Sequence, residues 1–165
     1  MSLRRRIRHL MLPHWWVRRV FPLALLQRIE QAIAASESRH RGELRWVIEA
    51  NLPMHCLWPA QSTRARALEL FSQLRVWDTA ENSGVLIYLQ LVDRRVEIVA
   101  DRGISARVPP EFWSEVCRNM ETAFRADNFE SGTLQAIDAL TEVLQEHFPA
   151  CGVAANELPN APLLL

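Results

Sequence analysis

The sequence predicts an α/β fold, a three-layer α/β/α sandwich whose small mixed sheet has three to four strands and contains one antiparallel hairpin. Helical apolar stripes alternate along the chain with short apolar runs, and two of these runs are separated by only three polar residues. The 165 residues are 49% hydrophobic and 23% charged, as in ordinary globular proteins. A chain of this length buries roughly 70% of its unfolded surface, so one core is expected.

The first half of the chain predicts a helix, a strand and a second helix. Apolar residues recur at helical spacing after Pro22, which suits a first turn, and they predict a helix over 22–38. The segment GELRWVIEANL alternates between apolar and polar residues, which is typical of a strand. Ser62 or Thr63 can cap the next helix, which should run to about Val76.

The second half predicts a hairpin followed by two helices. GVLIYLQLV is too short and too uniformly apolar for an amphipathic helix, so it predicts a central strand covered on both faces. Asp93 and Arg94 interrupt the run, and VEIVA resumes it, which indicates an antiparallel hairpin. Pro109 and Pro110 open a strongly periodic helix, and a last helix is predicted over 131–147.

Three segments are expected: a basic aromatic arm at 1–21, an α/β domain at 22–148 and an extended tail at 149–165. The arm carries six of the 19 basic residues and no acid, which leaves the rest of the chain acidic. Such an arm suits an anionic membrane surface, or else its aromatic side chains dock on the domain's own core while its arginines stay solvated. Its candidate contact residues are Arg4, Arg5, Arg6, Arg8, Trp15, Trp16, Arg18 and Arg19.

Composition excludes several classes of protein. The absence of lysine excludes Schiff-base catalysis and a Walker phosphate loop. Three widely separated cysteines do not form a zinc or redox motif and favour a reducing compartment. Pro13 and His14 interrupt any secretory core, so we expect a soluble cytoplasmic protein that can lie peripherally at the inner membrane. Nucleic acid is an unlikely partner because the acidic body would repel it.

Residues GVLIYLQLVDRRVEIVADRGISARVP, followed by FRADNFESGTLQAIDAL, resemble the TPM domain family, also called the TPM phosphatase domain. The resemblance spans about residues 22–148 and is similar to a bacterial subgroup of soluble, single-domain members. It implies an α/β/α sandwich, an acidic metal site and an attributed phosphatase activity, while other members serve in membrane-complex maintenance or receptor modulation. The matching features are Glu37 to Glu43, Ser83 to Leu86, Asp93 to Ile98, Gly103, and Phe124 to Gly132.

One departure from the family pattern concerns its metal site. Asn82, Ser83 and Gly84 stand where many members have the sequence DNG, so an amide replaces an acid. The resemblance therefore implies one charged ligand fewer in this chain.

Polar residues should gather at one edge of the sheet. A hairpin places the start of one strand beside the end of the next, so 78–82 and 101–103 should meet, with Asp93 at the opposite end. Oxygen ligands there would suit Mg²⁺ or Ca²⁺, and Arg102 could hold a phosphate. The alternative is a solvated, charged edge with ordinary loop caps. The candidate metal ligands are Asp78, Glu81, Asn82 and Asp101.

Two functions remain open at this stage. The chain lacks a phosphate-cradling glycine loop, a cysteine-x5-arginine signature and a D-x-D start, and no catalytic residue can be assigned. We therefore expect a non-enzymatic binding or assembly module for an unknown protein partner, resting on the inner membrane surface through its arm. The alternative is a phosphatase that uses Mg²⁺ or Ca²⁺ to hydrolyse phosphomonoesters.

Overall fold

The computed structural model describes residues 15–57, 61–151 and 156–165. The helices, in chain order, are α1 (Trp15–Val20), α2 (Leu23–Glu37), α3 (Met54–Leu57), α4 (Thr63–Gln73), α5 (Arg102–Ser105), α6 (Pro110–Arg125) and α7 (Phe129–His147). The strands are β1 (Glu43–Glu49), β2 (Gly84–Gln90), β3 (Arg95–Ala100) and β4 (Leu163–Leu164).

These strands form one mixed sheet in the order β3-β2-β1-β4. β1 runs parallel to β2 and β4, whereas β2 and β3 form the predicted antiparallel hairpin. The fourth strand comes from the tail, where Leu163 pairs with Val47 and Leu164 with Ile48. The tail, expected only to be extended, thus completes the sheet.

Helices cover both faces of the sheet, which confirms the three-layer sandwich. Trp46 and Ile87 face a core shared with α2, α6 and α7. Val47 and Tyr88, one position further along each strand, face a smaller core shared with α4. All four side chains are fully buried, as expected for central strands covered on both sides.

Two helix boundaries differ from the prediction for local reasons. α4 begins after Ser62, whose hydroxyl accepts a hydrogen bond from Ala65 N at 3.1 Å, but it ends at Gln73 rather than near Val76. Arg75 has a positive φ of 53°, which turns the chain out of the helix.

α7 begins two residues earlier than expected because Phe129 belongs to the core. Its ring lies 5.1 Å from that of Phe124 and 5.5 Å from that of Phe21. The turn before it is formed by Asp127, whose φ of 59° lies in the left-handed region that aspartate and asparagine tolerate.

Candidate functional site

The predicted polar edge exists at the amino ends of β1 and β2. Asp101 N donates to Gly84 O at 2.9 Å, and Gly103 N donates to Asn82 O at 2.9 Å. These bonds confirm that 78–82 and 101–103 meet. Asp93 follows the other end of β2, as expected.

Most polar groups at this edge already have partners within the chain. The Glu81 carboxylate forms an ion pair with Arg41. Asn82 Oδ1 accepts from Arg102 Nε at 3.2 Å, so Arg102 is held by an amide. Asp101 Oδ1 accepts from the Arg102 backbone N–H at 2.7 Å and caps α5. Asp78 is exposed.

As arranged, this edge does not fit a divalent metal ion. In the segments that the structure describes, no three His, Cys, Asp or Glu side chains are placed to hold one. The buried Oδ2 of Asp101 has no hydrogen-bond partner among those residues, but it is a single oxygen, and the neighbouring Asn82 oxygen is already bonded by Arg102. Mg²⁺ and Ca²⁺ need about six or more oxygen ligands. The metal and phosphate roles therefore stay predictions.

Charged side chains of β1, which sequence reasoning did not single out, hold the tail against the sheet. The Glu43 carboxylate accepts hydrogen bonds from Glu157 N at 3.2 Å and Leu158 N at 3.1 Å. Arg45 Nη1 donates to two tail carbonyls, Pro159 O and Ala161 O, each at 2.7 Å. The only sequence signal is the presence of charged residues in a strand that becomes wholly buried.

Glu37 is a half-buried acid beside this tail. Its Oε1 accepts from Leu44 N at 3.0 Å. Burial raises the pKa of Glu37 to about 8; the nearby charge of Glu43 raises it further, while hydrogen bonds from Leu44 and Asn160 oppose the rise. Glu37 is thus protonated at neutral pH, an unusual state for a carboxyl group.

The pKa of Glu37 predicts a pH-dependent stability. Its folded value of about 8 lies above the ordinary 4.5, so the folded chain holds the proton more tightly than the unfolded chain does. The stabilisation of the fold by protonated Glu37 is complete below pH 4.5 and is lost as pH rises through 8. We expect Glu37→Gln to reduce this loss by about 2 kcal/mol, since partial exposure screens the effect.

Urea denaturation at several pH values between 5 and 9 checks this prediction, because that window covers most of the range between the unfolded pKa of 4.5 and the folded pKa of about 8, and extends past the latter. Glu142→Gln, at an exposed position of α7, is the control. Equal pH dependence in the Glu37→Gln variant and the unaltered chain would contradict it.

A groove with a volume of about 490 Å³ lies along the open side of β3, between α4 and α6. Trp113 and Cys117, on the strongly periodic helix α6, are only partly buried and line this groove. Burial raises the pKa of Cys117 to about 11, so its thiol is not reactive. The charged lining residues are Arg64, Arg95, Glu97, Arg118 and Glu121.

The described part of the arm divides between the core and the solvent. Trp16 packs against the main core and Val17 is buried in it, whereas Arg18 and Arg19 are exposed. Arg4, Arg5, Arg6 and Arg8 lie outside the described residues. Among the helices that the structure does describe, none is long and apolar enough to cross a membrane.

The fold and the groove together define a small α/β/α sandwich domain with an open sheet edge. Residues 19–143 match the family model of the TPM domain. The chain therefore belongs to the TPM domain family, which confirms the resemblance. No curated protein matches the chain.

Two solved structures share this fold. The BA42 protein from the psychrophilic bacterium Bizionia argentinensis is 27% identical, with a TM-score of 0.75, and the match covers 86% of this chain and 93% of that one. The N-terminal domain of a protein from P. gingivalis is 23% identical, with a TM-score of 0.59, over 78% of this chain and 81% of that one. The second likeness concerns the fold alone.

Proposed function

We propose that this chain is a non-enzymatic binding module that recognises a protein partner through the groove beside β3. The observation that carries the proposal is the groove itself, whose volume of about 490 Å³ lies within the usual range for binding sites. It is lined by an aromatic side chain, Trp113, by several charged groups and by a strand edge that no other described strand pairs with. By contrast, the acids at the amino ends of β1 and β2 are largely engaged within the chain.

A photo-crosslinking amino acid at Ser114 tests this proposal in living cells of the source organism. Ser114 is exposed and lines the groove. Ser38 is a matched control: it is exposed at the end of α2, and like Ser114 it bonds a carbonyl of the preceding helical turn. We expect a protein adduct of defined mass from position 114 only.

The adduct must also depend on the groove's charge. Arg118→Glu should abolish it, whereas Arg39→Glu, at an exposed arginine outside the groove lining, should not. Equal adducts from Ser114 and Ser38, an adduct insensitive to Arg118→Glu, or no adduct would each overturn the proposal.

A metal-assisted phosphatase is the second candidate, and the unbonded Oδ2 of Asp101 is the observation that favours it. Calorimetric titration with Mg²⁺ and with Ca²⁺ separates the two candidates. For a binding module we expect no saturable heat, because one free oxygen is too few ligands. Saturable binding that is lost in Asp101→Asn, but kept in Asp138→Asn on an exposed turn of α7, would favour the phosphatase.

We propose further that the module rests on the cytoplasmic face of the inner membrane. Exposed Arg18 and Arg19 lie near Leu23, whose side chain is 66% exposed, so charge and apolar surface occur together. Each arginine near anionic lipid contributes about 1 kcal/mol, so replacing both with glutamine should weaken retention by about tenfold or more.

Sedimentation with vesicles rich in anionic lipid measures that retention. Vesicles of neutral lipid and the Arg39→Gln variant are the controls. The membrane proposal fails if the double variant sediments as well as the unaltered chain.

A further inference from the structure

We infer that the groove beside β3 takes its partner as an extended, acid-bearing segment, which adds to β3 as a further strand of the sheet. The inference rests on the proposed function and names the kind of partner that the groove fits.

The register of the hairpin decides which backbone groups face the groove. Among the strands that the structure describes, β3 pairs with β2 alone. Asp101 N donates to Gly84 O across the hairpin, and in an antiparallel ladder alternate residues bond the neighbour. The N–H and C=O groups of Val96, Ile98 and Ala100 therefore point away from β2, towards the open side.

Side chains occupy the positions where a neighbouring strand's backbone would bond. Glu121 Oε1 accepts from Val96 N at 3.2 Å, and Arg64 Nη1 donates to Ile98 O. The Cys117 sulfur is hydrogen-bonded by the Ile98 backbone. The two N–H groups thus bond acceptors and the C=O group bonds a donor, as they would if a neighbouring strand were paired there.

These side chains can withdraw without leaving a buried charge unpaired. Glu121 would keep its ion pairs with Arg95 at 3.2 Å and Arg125 at 2.8 Å. Arg64 is half exposed and can turn into solvent. The Cys117 sulfur is a weak acceptor, so the Ile98 N–H would gain a stronger acceptor in a carbonyl of the added strand. Replacing these side-chain bonds by backbone bonds keeps the number of hydrogen bonds, so strand addition costs little free energy.

The other side of the same sheet already binds an extended segment in this manner. There the tail pairs with β1 over two residues, and Arg45 and Glu43 bond the tail's backbone carbonyl and N–H groups. Charged side chains that bond the backbone of an extended chain are thus a recognition mode that this sheet uses.

The charge of the groove selects an acidic occupant. Arg64, Arg95 and Arg118 line it against Glu97 and Glu121. Three arginines thus face two glutamates, and Arg125, outside the lining, also pairs with Glu121. The surplus is positive, so acidic side chains at alternate positions of an added strand, which point to one face, are favoured.

Selection of a random ten-residue peptide library on the purified full chain tests the inference. We expect the enriched peptides to carry acids at alternate positions. The best peptide is then synthesised twice, once unaltered and once with alternate backbone nitrogens methylated on the side that faces β3. Methylation keeps every side chain and removes the strand bonds, so affinity should fall by at least about tenfold.

Two variants locate the binding. Val96→Pro removes the outward N–H of an edge strand, where proline is tolerated, and Arg118→Glu reverses a charge at an exposed position. Each should weaken peptide binding by at least about tenfold, whereas Arg39→Glu should not. Because the Val96 side chain is buried, the Tm of each variant is compared with that of the unaltered chain.

No enrichment, methylated peptide that binds equally well, or binding that survives both variants would overturn the inference. So would enriched peptides without acids. An adduct from position 114 that persists in the Val96→Pro chain would leave the proposed function standing while the strand-addition inference falls. The two can therefore fail separately.

Discussion

Replacing Arg66 with methionine is expected to lower the free energy of unfolding by about 3–5 kcal/mol, because a buried carboxylate loses its counter-charge. Arg66 bonds both oxygens of Glu49: its Nη2 lies 2.6 Å from Oε1, and its Nε lies 3.3 Å from Oε2. The two side chains are 8% and 2% exposed. In the variant, Glu49 Oε2 still accepts the hydrogen bond from the Tyr88 hydroxyl, but this neutral donor does not replace the lost positive charge.

Urea denaturation of the single variant and of a double variant, Arg66→Met with Glu49→Leu, measures this effect. The double variant removes both charges and should recover part of the loss, although the buried Tyr88 hydroxyl then lacks its Glu49 acceptor. A single variant as stable as the unaltered chain would show that the pair does not stabilise the fold.

Gly84→Ala is expected to lower the free energy of unfolding at least as much as Arg66→Met does, for a steric reason. A Cβ on Gly84 would lie 1.9 Å from Val76 O, a backbone atom that cannot turn aside. Relief requires moving either the start of β2 or the loop after α4, so we expect a loss of about 4 kcal/mol or failure to fold.

Gly42→Ala is the matched control at the start of the neighbouring strand. There the added Cβ meets the Leu144 side chain at 2.6 Å, and a leucine can change rotamer. We expect a cost of about 1–2 kcal/mol. Equal losses of Tm in the two variants would refute the distinction between backbone and side-chain obstacles.

The parts of the fold that could be predicted are those set by local periodicity. GVLIYLQLV becomes a strand because both of its faces are covered, and the three polar residues after it are too few for anything but a hairpin. The meeting of 78–82 with 101–103 follows from that hairpin alone.

The remaining features depend on contacts that are distant in sequence. β4 has only two residues and no period, and it is held by Arg45 and Glu43, more than a hundred residues away. The stripe of α6 predicted a buried helix face, but it could not tell that Trp113 would lie beside a strand edge. Likewise, nothing local links Glu81 to Arg41.

The two outer strands of the sheet differ in their ability to pair with a further strand. The outer side is formed by β4, whose two residues are too short to template a further chain, whereas β3 presents six. Of the two outer strands that the structure describes, only β3 is therefore long enough for the strand addition inferred above. A complex built in this way closes at one partner per chain and does not propagate into a fibre.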